Sequence, residues 1–243
     1  MASPWLLEVP KPQARRRLYV FPYLGGNPAA FIDWSRALGP DTALSVVNLP
    51  GRGLRLKEPS LTEMRPAALQ IAAAVTANAG AADFAFFGHS MGAVLAFEVL
   101  RICTMMHLRR PDLMVVSGCR WPGALERDDL HLLDDSAFRS RLNDLGGTPP
   151  EVMGNDELMR LLTPMLRADF AMLNGYVYRT MPRLPVPLHV FASQDDLEVP
   201  LETLPRWFDE SSHPGEMHLF PGGHFFLHEP GLAVPARLRE LGA

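Results

Sequence analysis

Short apolar runs alternate with helical segments along most of the chain, and this alternation constrains the fold more than any other feature. The runs are rich in β-branched and aromatic residues, and Gly, Pro or polar residues follow them, as is typical of buried strands. The predicted strands are at 18–21, 44–49, 84–87, 113–117, 188–191 and 217–220, and helices are predicted at 28–38, 62–78, 91–106 and 232–241. Such alternation produces a mostly parallel sheet with helices on both faces, so the pattern predicts an α/β fold.

The segment at about 121–185 interrupts this alternation. It has no strand pattern, but its apolar residues have helical spacing over 135–145, 156–162 and 164–178. The strand pattern resumes afterwards, so we predict a single domain over residues 1–243 with a helical insertion at about 121–185. The methionines of the insertion suit either an adaptable apolar surface or ordinary helix packing.

The composition argues against several classes of protein. The net charge of −4 and the pI of about 6.1 give no reason to expect a nucleic-acid partner. No stretch approaches the roughly 18–20 apolar residues of a membrane span, and residues 1–9 lack the basic and apolar regions of a signal peptide. We therefore expect a soluble, cytoplasmic protein. Cys103 and Cys119 lie in apolar runs, which favours buried thiols over a disulfide or a metal site.

The run Gly88-His89-Ser90-Met91-Gly92 fits the pattern G-x-S-x-G. It follows a predicted strand and precedes a predicted helix, which is the context of a nucleophile elbow. Glycines are needed there because the serine occupies a strained turn whose flanking segments approach closely. The helix that follows directs the positive end of its dipole at a developing oxyanion. Ser90 is therefore the predicted nucleophile, since a glycine-rich turn with an incidental serine would not explain both flanks.

A serine nucleophile needs a base, and His224 is the predicted base among the 8 histidines. It follows the last predicted strand, in a loop before the last helix, where the chain order Ser, acid, His places it. His218 and His228 are the alternatives, but both are more simply strand or surface residues. His89 adjoins the nucleophile and points elsewhere, so a supporting hydrogen bond is its expected role.

The acid that orients the base is expected after the insertion, where the strand 188–191 ends. Asp195 and Asp196 follow this strand as adjacent carboxylates, and only one of them can face the imidazole because neighbouring side chains diverge. Residues 193–196 fit the G-x-x-D turn of such hydrolases, with Ser193 in place of Gly, which favours Asp196. Asp195 stays the alternative.

An oxyanion hole requires two backbone donors. The N–H of Met91 is the first, and the second is expected from the loop after the first predicted strand, at Leu24 or, as the alternative, Tyr23. Gly25-Gly26 in that loop could also belong to a phosphate-binding loop. Two glycine-rich patterns are typical of phosphate-binding loops, G-x-x-x-x-G-K-[ST] and G-x-G-x-x-G. Neither is complete at this loop, so an oxyanion hole is the favoured interpretation.

With these motifs in place, the sequence resembles the type II thioesterases, the stand-alone editing hydrolases that accompany polyketide synthases and non-ribosomal peptide synthetases. The resemblance covers nearly the full chain. It rests on residues 21–26 (FPYLGG), 49–53 (LPGRG), 87–92 (FGHSMG), 116–118 (VSG), 166–170 (LRADF) and 220–226 (FPGGHFF). The resemblance implies an α/β-hydrolase fold with a helical lid between the sixth and seventh strands, corresponding to the insertion.

It also implies an activity, partners and site. The enzyme would hydrolyse acyl thioesters on the phosphopantetheine arm of acyl- or peptidyl-carrier proteins, as a monomer without metal or organic cofactor. Ser90, Asp196 and His224 would form the catalytic triad, and the N–H groups of Met91 and Leu24 the oxyanion hole.

Three departures from the family pattern leave the class intact: Leu24 replaces a smaller residue, Ser193 a glycine, and Leu197 a proline. The triad itself does not select the leaving group, so a carboxylesterase or lipase is an alternative function. A second alternative function is that of a non-catalytic binding module with the same fold. The presence of all three triad residues argues against it. Arg52 and Arg55 could contact an acidic carrier protein or simply be solvated.

Overall fold

The computed structural model describes residues 3–243, so Met1 and Ala2, where the segment examined for a signal peptide begins, lie outside the described residues. A seven-stranded sheet forms its centre. The strands are β1 (Leu6–Val9), β2 (Arg16–Phe21), β3 (Thr42–Val47), β4 (Asp83–His89), β5 (Leu113–Ser117), β6 (Leu188–Ser193) and β7 (Met217–Phe220). Their order is β1-β3-β2-β4-β5-β6-β7; β1 is antiparallel to β3, and every other neighbouring pair is parallel. The predicted mostly parallel sheet is confirmed.

All predicted strands are present, and β5 and β7 have the predicted bounds. β3 is displaced toward the N-terminus from the predicted 44–49, because the chain turns at Pro50-Gly51 and the preceding residues lead into that turn. β1 was not predicted. Its LLEV segment is too short to show an alternating pattern, and it is ordered by pairing with β3 at the edge of the sheet.

Helices connect the strands as the alternation predicts. They are α1 (Trp34–Ala37), α2 (Met64–Ala79), α3 (Met91–Met105), α4 (Asp135–Leu145), α5 (Pro150–Met153), α6 (Asp156–Asn174) and α7 (Ala233–Glu240). The helix predicted at 28–38 is instead a 3-10 turn at Pro28–Phe31 followed by α1, and a 3-10 helix at Leu201–Glu210 was not predicted. Within residues 3–243, every helix is too short or too polar to cross a bilayer.

Both faces of the central strands β2 to β6 are largely buried, which explains why these strands contain continuous apolar runs. On β2, Leu18 and Val20 belong to one hydrophobic cluster, while Tyr19 and Phe21 belong to the other. The first cluster includes residues of α1 and α7, and the second includes residues of α2 and α3. The alternate side chains of one strand therefore pack against helices on opposite sides of the sheet.

The helical insertion lies between β5 and β6 and contains α4, α5 and α6. The family resemblance implied that the insertion follows the sixth strand, whereas in the structure it follows the fifth described strand. In the part of the chain that is described, only the edge strand β1 precedes the parallel strands, and this leaves five strands before the insertion.

The predicted break between residues 162 and 164 is wrong, because α6 continues through Pro164 and ends at Asn174. Proline has no N–H, so the carbonyl of Arg160 loses its partner within the helix. Pro164 and Arg160 are both exposed, and water can hydrogen-bond that carbonyl in place of the missing donor. The helix can therefore continue at the cost of one internal hydrogen bond.

Two side chains at the ends of the insertion are joined to one buried carboxylate. Trp121 Nε1 and Tyr178 Oη both donate to Glu210 Oε1, at 2.7 and 2.6 Å. Burial, with the neighbouring Glu210 carboxylate, raises the pKa of Tyr178 to about 12, so its hydroxyl keeps the proton that it donates. These bonds attach both ends of the insertion to the 3-10 helix Leu201–Glu210.

Candidate active site

The strand–turn–helix segment around Ser90 has the geometry that the sequence predicts. Ser90 lies between β4 and α3 with φ 53° and ψ −122°, a strained conformation for a residue that is not glycine. A Cβ on Gly92 would lie 2.0 Å from the Phe21 carbonyl oxygen, and one on Gly88 would lie 2.3 Å from the Gly92 carbonyl oxygen. Glycine at both positions is therefore what allows β2, β4 and α3 to meet at this turn.

His224 and Asp196 lie on neighbouring loops after β7 and β6. The distance from His224 Nδ1 to Asp196 Oδ2 is 2.8 Å, and Asp196 is buried. The other oxygen, Oδ1, accepts the backbone N–H groups of Glu198 and Val199 at 2.9 and 3.2 Å. Asp195 is exposed. Of the two adjacent carboxylates, Asp196 is the one that the fold brings to the imidazole.

Ser193, which departs from the family's glycine, connects the loops of the acid and the base. Its hydroxyl accepts the N–H of Asp195 at 3.1 Å and donates to the carbonyl of Gly222, two residues before His224. The serine therefore contributes hydrogen bonds that glycine would lack.

The alternative histidines have other partners. His228 Nε2 and the hydroxyl of Tyr23 are 2.9 Å apart, and His218 Nδ1 accepts hydrogen bonds from Arg237. His89 is fully buried, with its Nδ1 2.9 Å from Ser117 Oγ. Burial lowers the pKa of His89 well below its usual value, and the nearby His224 and His228 lower it further. His89 therefore stays neutral beside the site.

Leu24 and Met91, the two predicted oxyanion donors, line one cavity of about 390 Å³ together with Ser90 and His224. Within the described residues, neither backbone N–H donates to a protein acceptor. The next amide, Gly25 N–H, does donate, to Asp169 Oδ2 at 2.8 Å. A protein carboxylate thus holds the loop beside Leu24 in place.

The walls of this cavity are largely apolar and come from the insertion. α4 and α6 contribute Leu142, Leu145, Leu162, Met165, Leu166 and Phe170. The insertion therefore covers the end of the sheet where Ser90 and His224 lie. A second cavity, of about 420 Å³ beside Arg101, contains none of the predicted site residues.

Ser90 and His224 share the cavity, but no hydrogen bond joins their side chains anywhere in residues 3–243. Catalytic hydrogen bonds are often long before substrate binds and shorten in the complex. The arrangement therefore has an imidazole oriented by Asp196 and a strained serine in one cavity, which Leu24 and Met91 also line.

From the sequence, Arg52 and Arg55 could contact a carrier protein or be solvated, but both are buried in the structure. Arg52 forms a two-pronged ion pair with Asp169 of α6, with N–O distances of 2.8 and 2.5 Å. Arg55 pairs with Glu58 and stacks over the ring of Trp5 at 4.2 Å. Neither guanidinium is available to a partner protein, because each is already bonded within the chain.

The described residues contain one group that could be considered as metal ligands: His189, Glu216 and His218, on β6 and β7. His189 Nδ1 accepts the backbone N–H of Glu216, and His218 Nδ1 accepts from the Arg237 guanidinium. Each neutral ring therefore carries its proton on Nε2, the nitrogen that would have to bind a metal. These hydrogen bonds do not suit a metal site.

Both cysteines are buried and unpaired in the described part of the chain, as predicted. Burial raises the pKa of Cys103 to about 11 and that of Cys119 to about 12, so both thiols stay protonated.

The mostly parallel sheet, with a serine in a strained turn between strand and helix, defines the chain as an α/β-hydrolase. The chain belongs to the thioesterase family, whose model, described as "Thioesterase domain", matches residues 16–239. The chain is thus a hydrolase that acts on thioesters, as the family resemblance implied.

Known relatives agree with this assignment. Thioesterase PikA5 of Streptomyces venezuelae is 35% identical over 220 residues, which cover 90% of this chain and 78% of that protein. The solved structure of RedJ, a thioesterase from the prodiginine biosynthetic pathway in Streptomyces coelicolor, is 36% identical with a TM-score of 0.87, covering 93% and 90% of the two chains. BorB, the type II thioesterase from the borrelidin biosynthetic cluster, is 30% identical with a TM-score of 0.88, covering 99% and 98%. The fold and the family inferred from the sequence are confirmed.

Proposed function

We propose that this chain is a type II thioesterase that removes acyl groups from the phosphopantetheine arm of acyl- or peptidyl-carrier proteins in polyketide or non-ribosomal peptide biosynthesis. The observation that carries the proposal is the buried pairing of Asp196 with His224 beside the cavity that Ser90 lines. The likeness to BorB and RedJ, which come from biosynthetic pathways, supports the substrate class.

In the first half of the reaction, Ser90 Oγ attacks the thioester carbonyl carbon and its proton passes to His224 Nε2. The carbonyl oxygen becomes an oxyanion, which the N–H groups of Met91 and Leu24 stabilise. The intermediate then breaks the C–S bond. The pantetheine thiol leaves with the proton from His224, and the acyl group stays on Ser90 as an ester.

In the second half, His224 takes a proton from water and the hydroxide attacks the ester on Ser90. The same two amides hold the second oxyanion. Collapse releases the carboxylic acid and returns the proton from His224 to Ser90. Asp196 orients the imidazole and stabilises its charged form throughout, and the amides of Glu198 and Val199 hold Asp196 in place.

The cavity supports an acyl thioester as the substrate. Its apolar walls from α4 and α6 suit an alkyl or polyketide chain, and its volume lies in the range of sites that enclose a small molecule. The insertion is thus proposed as the cover of a single domain, with the acyl pocket beneath it.

Matched substrates test the proposal. One acyl chain is presented as a carrier-protein thioester, as a pantetheine thioester and as an oxygen ester, and kcat/KM is measured for each. We expect the carrier thioester to give the highest value and the oxygen ester the lowest, because the protein would use contacts to the arm and carrier. Equal or higher kcat/KM for the oxygen ester would instead show a carboxylesterase. Ser90→Ala is the control and should hydrolyse none of the three.

Two further features remain predictions from the sequence. The cytoplasm is the expected location, and the monomer is the expected state. Sedimentation of the purified protein with and without a carrier protein measures both the oligomeric state and the association.

A further inference from the structure

His89 lies directly before the nucleophile, yet the proposed chemistry assigns it no step. Its imidazole is fully buried and packs against the ring of His224, with 5.1 Å between the ring centroids. The next two residues of that loop, Phe225 and Phe226, also contact it, at 6.2 and 5.5 Å. One side chain therefore supports three consecutive residues of the loop that carries the base.

The same ring also touches the loop that carries the second oxyanion donor. The centroids of His89 and Tyr23 are 5.9 Å apart with an interplanar angle of 86°, and Tyr23 precedes Leu24. Base, nucleophile and oxyanion loop thus meet around one imidazole. These groups come from residues far apart in the chain, and His89 contacts both loops while being bonded covalently to Ser90.

β5 sets the orientation of this ring. His89 Nδ1 and the Ser117 hydroxyl share a hydrogen bond of 2.9 Å, and Ser117 O accepts the backbone N–H of Ser90 at 2.8 Å. The ring also lies flush on Gly118, where an added Cβ would be 2.5 Å from His89 Cε1. Ser117 therefore holds both the backbone of the nucleophile and the ring beneath the base.

We propose that His89 is a positioning residue, whose imidazole, oriented by Ser117, holds the His224 loop and the Tyr23–Leu24 loop in register with Ser90. The inference rests on the proposed function of Ser90 and His224. The buried ring acts in its neutral form through shape and one hydrogen bond, and it exchanges no proton with substrate.

His89→Leu, Ser117→Ala and the double variant test this. Leucine is an apolar side chain of comparable size without the Nδ1 atom, and alanine removes only the hydroxyl. We expect kcat for an acyl-pantetheine thioester to fall about tenfold to a hundredfold in His89→Leu with KM little changed, because a small displacement of reacting groups affects the chemical step. Ser117→Ala should lower kcat in the same way but less. The double variant should be no slower than His89→Leu, since both changes remove one shared hydrogen bond.

Tyr19→Phe is the matched control. Tyr19 is fully buried on β2, and its hydroxyl donates to Asn78 Oδ1 of α2 at 2.8 Å. This variant also loses a hydrogen bond, a partly buried one, so its melting temperature should fall while kcat stays at the wild-type value. Wild-type kcat in both Ser117→Ala and His89→Leu would overturn the proposal, as would losses of kcat that multiply in the double variant. If His89→Leu does not fold, kcat is compared between Ser117→Ala and Tyr19→Phe. A lower kcat in Ser117→Ala alone supports the proposal, and equal values overturn it.

Failure of this inference can be told apart from failure of the proposed function. The rate at which a fluorophosphonate labels Ser90 is measured in each variant, which needs no knowledge of the substrate. A wild-type protein that is not labelled contradicts the proposed function. A wild-type protein that is labelled, beside His89→Leu labelled at the same rate, contradicts only the role of His89.

Discussion

Two adjacent carboxylates with opposite surroundings show how the site is set at the scale of single residues. Asp196 is buried, accepts two backbone N–H groups and faces His224, whereas Asp195 is exposed. The proposed mechanism needs only the first. It uses Asp196 to hold the imidazole in one tautomer with Nε2 toward Ser90.

Asp196→Asn and Asp195→Asn therefore form a matched pair. We expect Asp196→Asn to lower kcat by about two to four orders of magnitude, because an amide can present the wrong hydrogen-bonding group to His224. Asp195→Asn should hydrolyse the same thioester at the wild-type rate. Steady-state kinetics on both proteins checks this, and equal losses in the two variants would refute the assignment of Asp196.

The sequence constrains some residues of the site more strongly than others. Ser90 could be located because its strained turn demands glycine at fixed positions, and such a constraint is local. Asp196 was favoured over Asp195 only by the G-x-x-D pattern, because both are carboxylates and the path of the loop decides which of them faces the imidazole. The burial of Arg52 was missed because its partner, Asp169, is remote in the chain and no local pattern records a contact of that kind.

At the scale of elements, one carboxylate joins the insertion to the loops around the site. Asp169 of α6 is fully buried, pairs with Arg52 and accepts the N–H of Gly25. Three segments that the sequence resemblance singled out thus meet at one ion pair. A buried charge of this kind is strongly destabilising once its partner is removed.

Replacing Asp169 by Asn should lower the free energy of unfolding by about 3–5 kcal/mol, because Arg52 stays buried without a counter-charge. Denaturant unfolding measures this. Glu240→Gln is the control, since it breaks the exposed pair with Arg237 and should change stability little. The double change Arg52→Met with Asp169→Leu should recover part of the loss. An Asp169→Asn protein as stable as Glu240→Gln would show that the Arg52–Asp169 ion pair does not stabilise the fold.

The elements that the sequence missed share a physical reason. β1 and the continuation of α6 through Pro164 both depend on surroundings: β1 is ordered by its neighbour β3, and the Arg160 carbonyl is exposed to water. Long helices such as α3 were predicted almost to the residue, because their apolar spacing extends over several turns.

At the scale of the whole molecule, burial lowers the pKa of four histidines: His89, His189, His218 and His228. In the unfolded chain each has a pKa of about 6.5, so the unfolded state binds protons first as the pH falls. Their contribution to stability is therefore complete above about pH 6.5 and is lost progressively below it.

We expect the melting temperature to fall as the pH is lowered from about 7 to about 5.5, a range above the ordinary pKa of carboxyl groups. Thermal unfolding followed by circular dichroism at several pH values measures it. His228→Gln should show a shallower decline than the wild type, because one of the four groups is removed. A melting temperature that is constant or rises over this range would show that the histidines do not act in this direction.

The architecture of the molecule was the part most open to prediction from sequence. A sheet covered on both faces needs continuous apolar strands, so runs such as Leu113–Ser117 could be recognised one by one. The cavity could not be predicted in this way. Its walls come from α4 and α6, whose apolar residues look the same in a sequence whether they face a core or a substrate.

Whether Ser90 carries the acyl group can be seen directly by mass spectrometry of the protein after brief reaction with an acylated carrier protein. We expect a transient acyl adduct on the peptide that contains Ser90, together with release of the free acid and the holo-carrier. Ser90→Ala, with its fold verified by circular dichroism, should show neither adduct nor release. Undiminished release of the acid by Ser90→Ala would show that Ser90 is not the nucleophile.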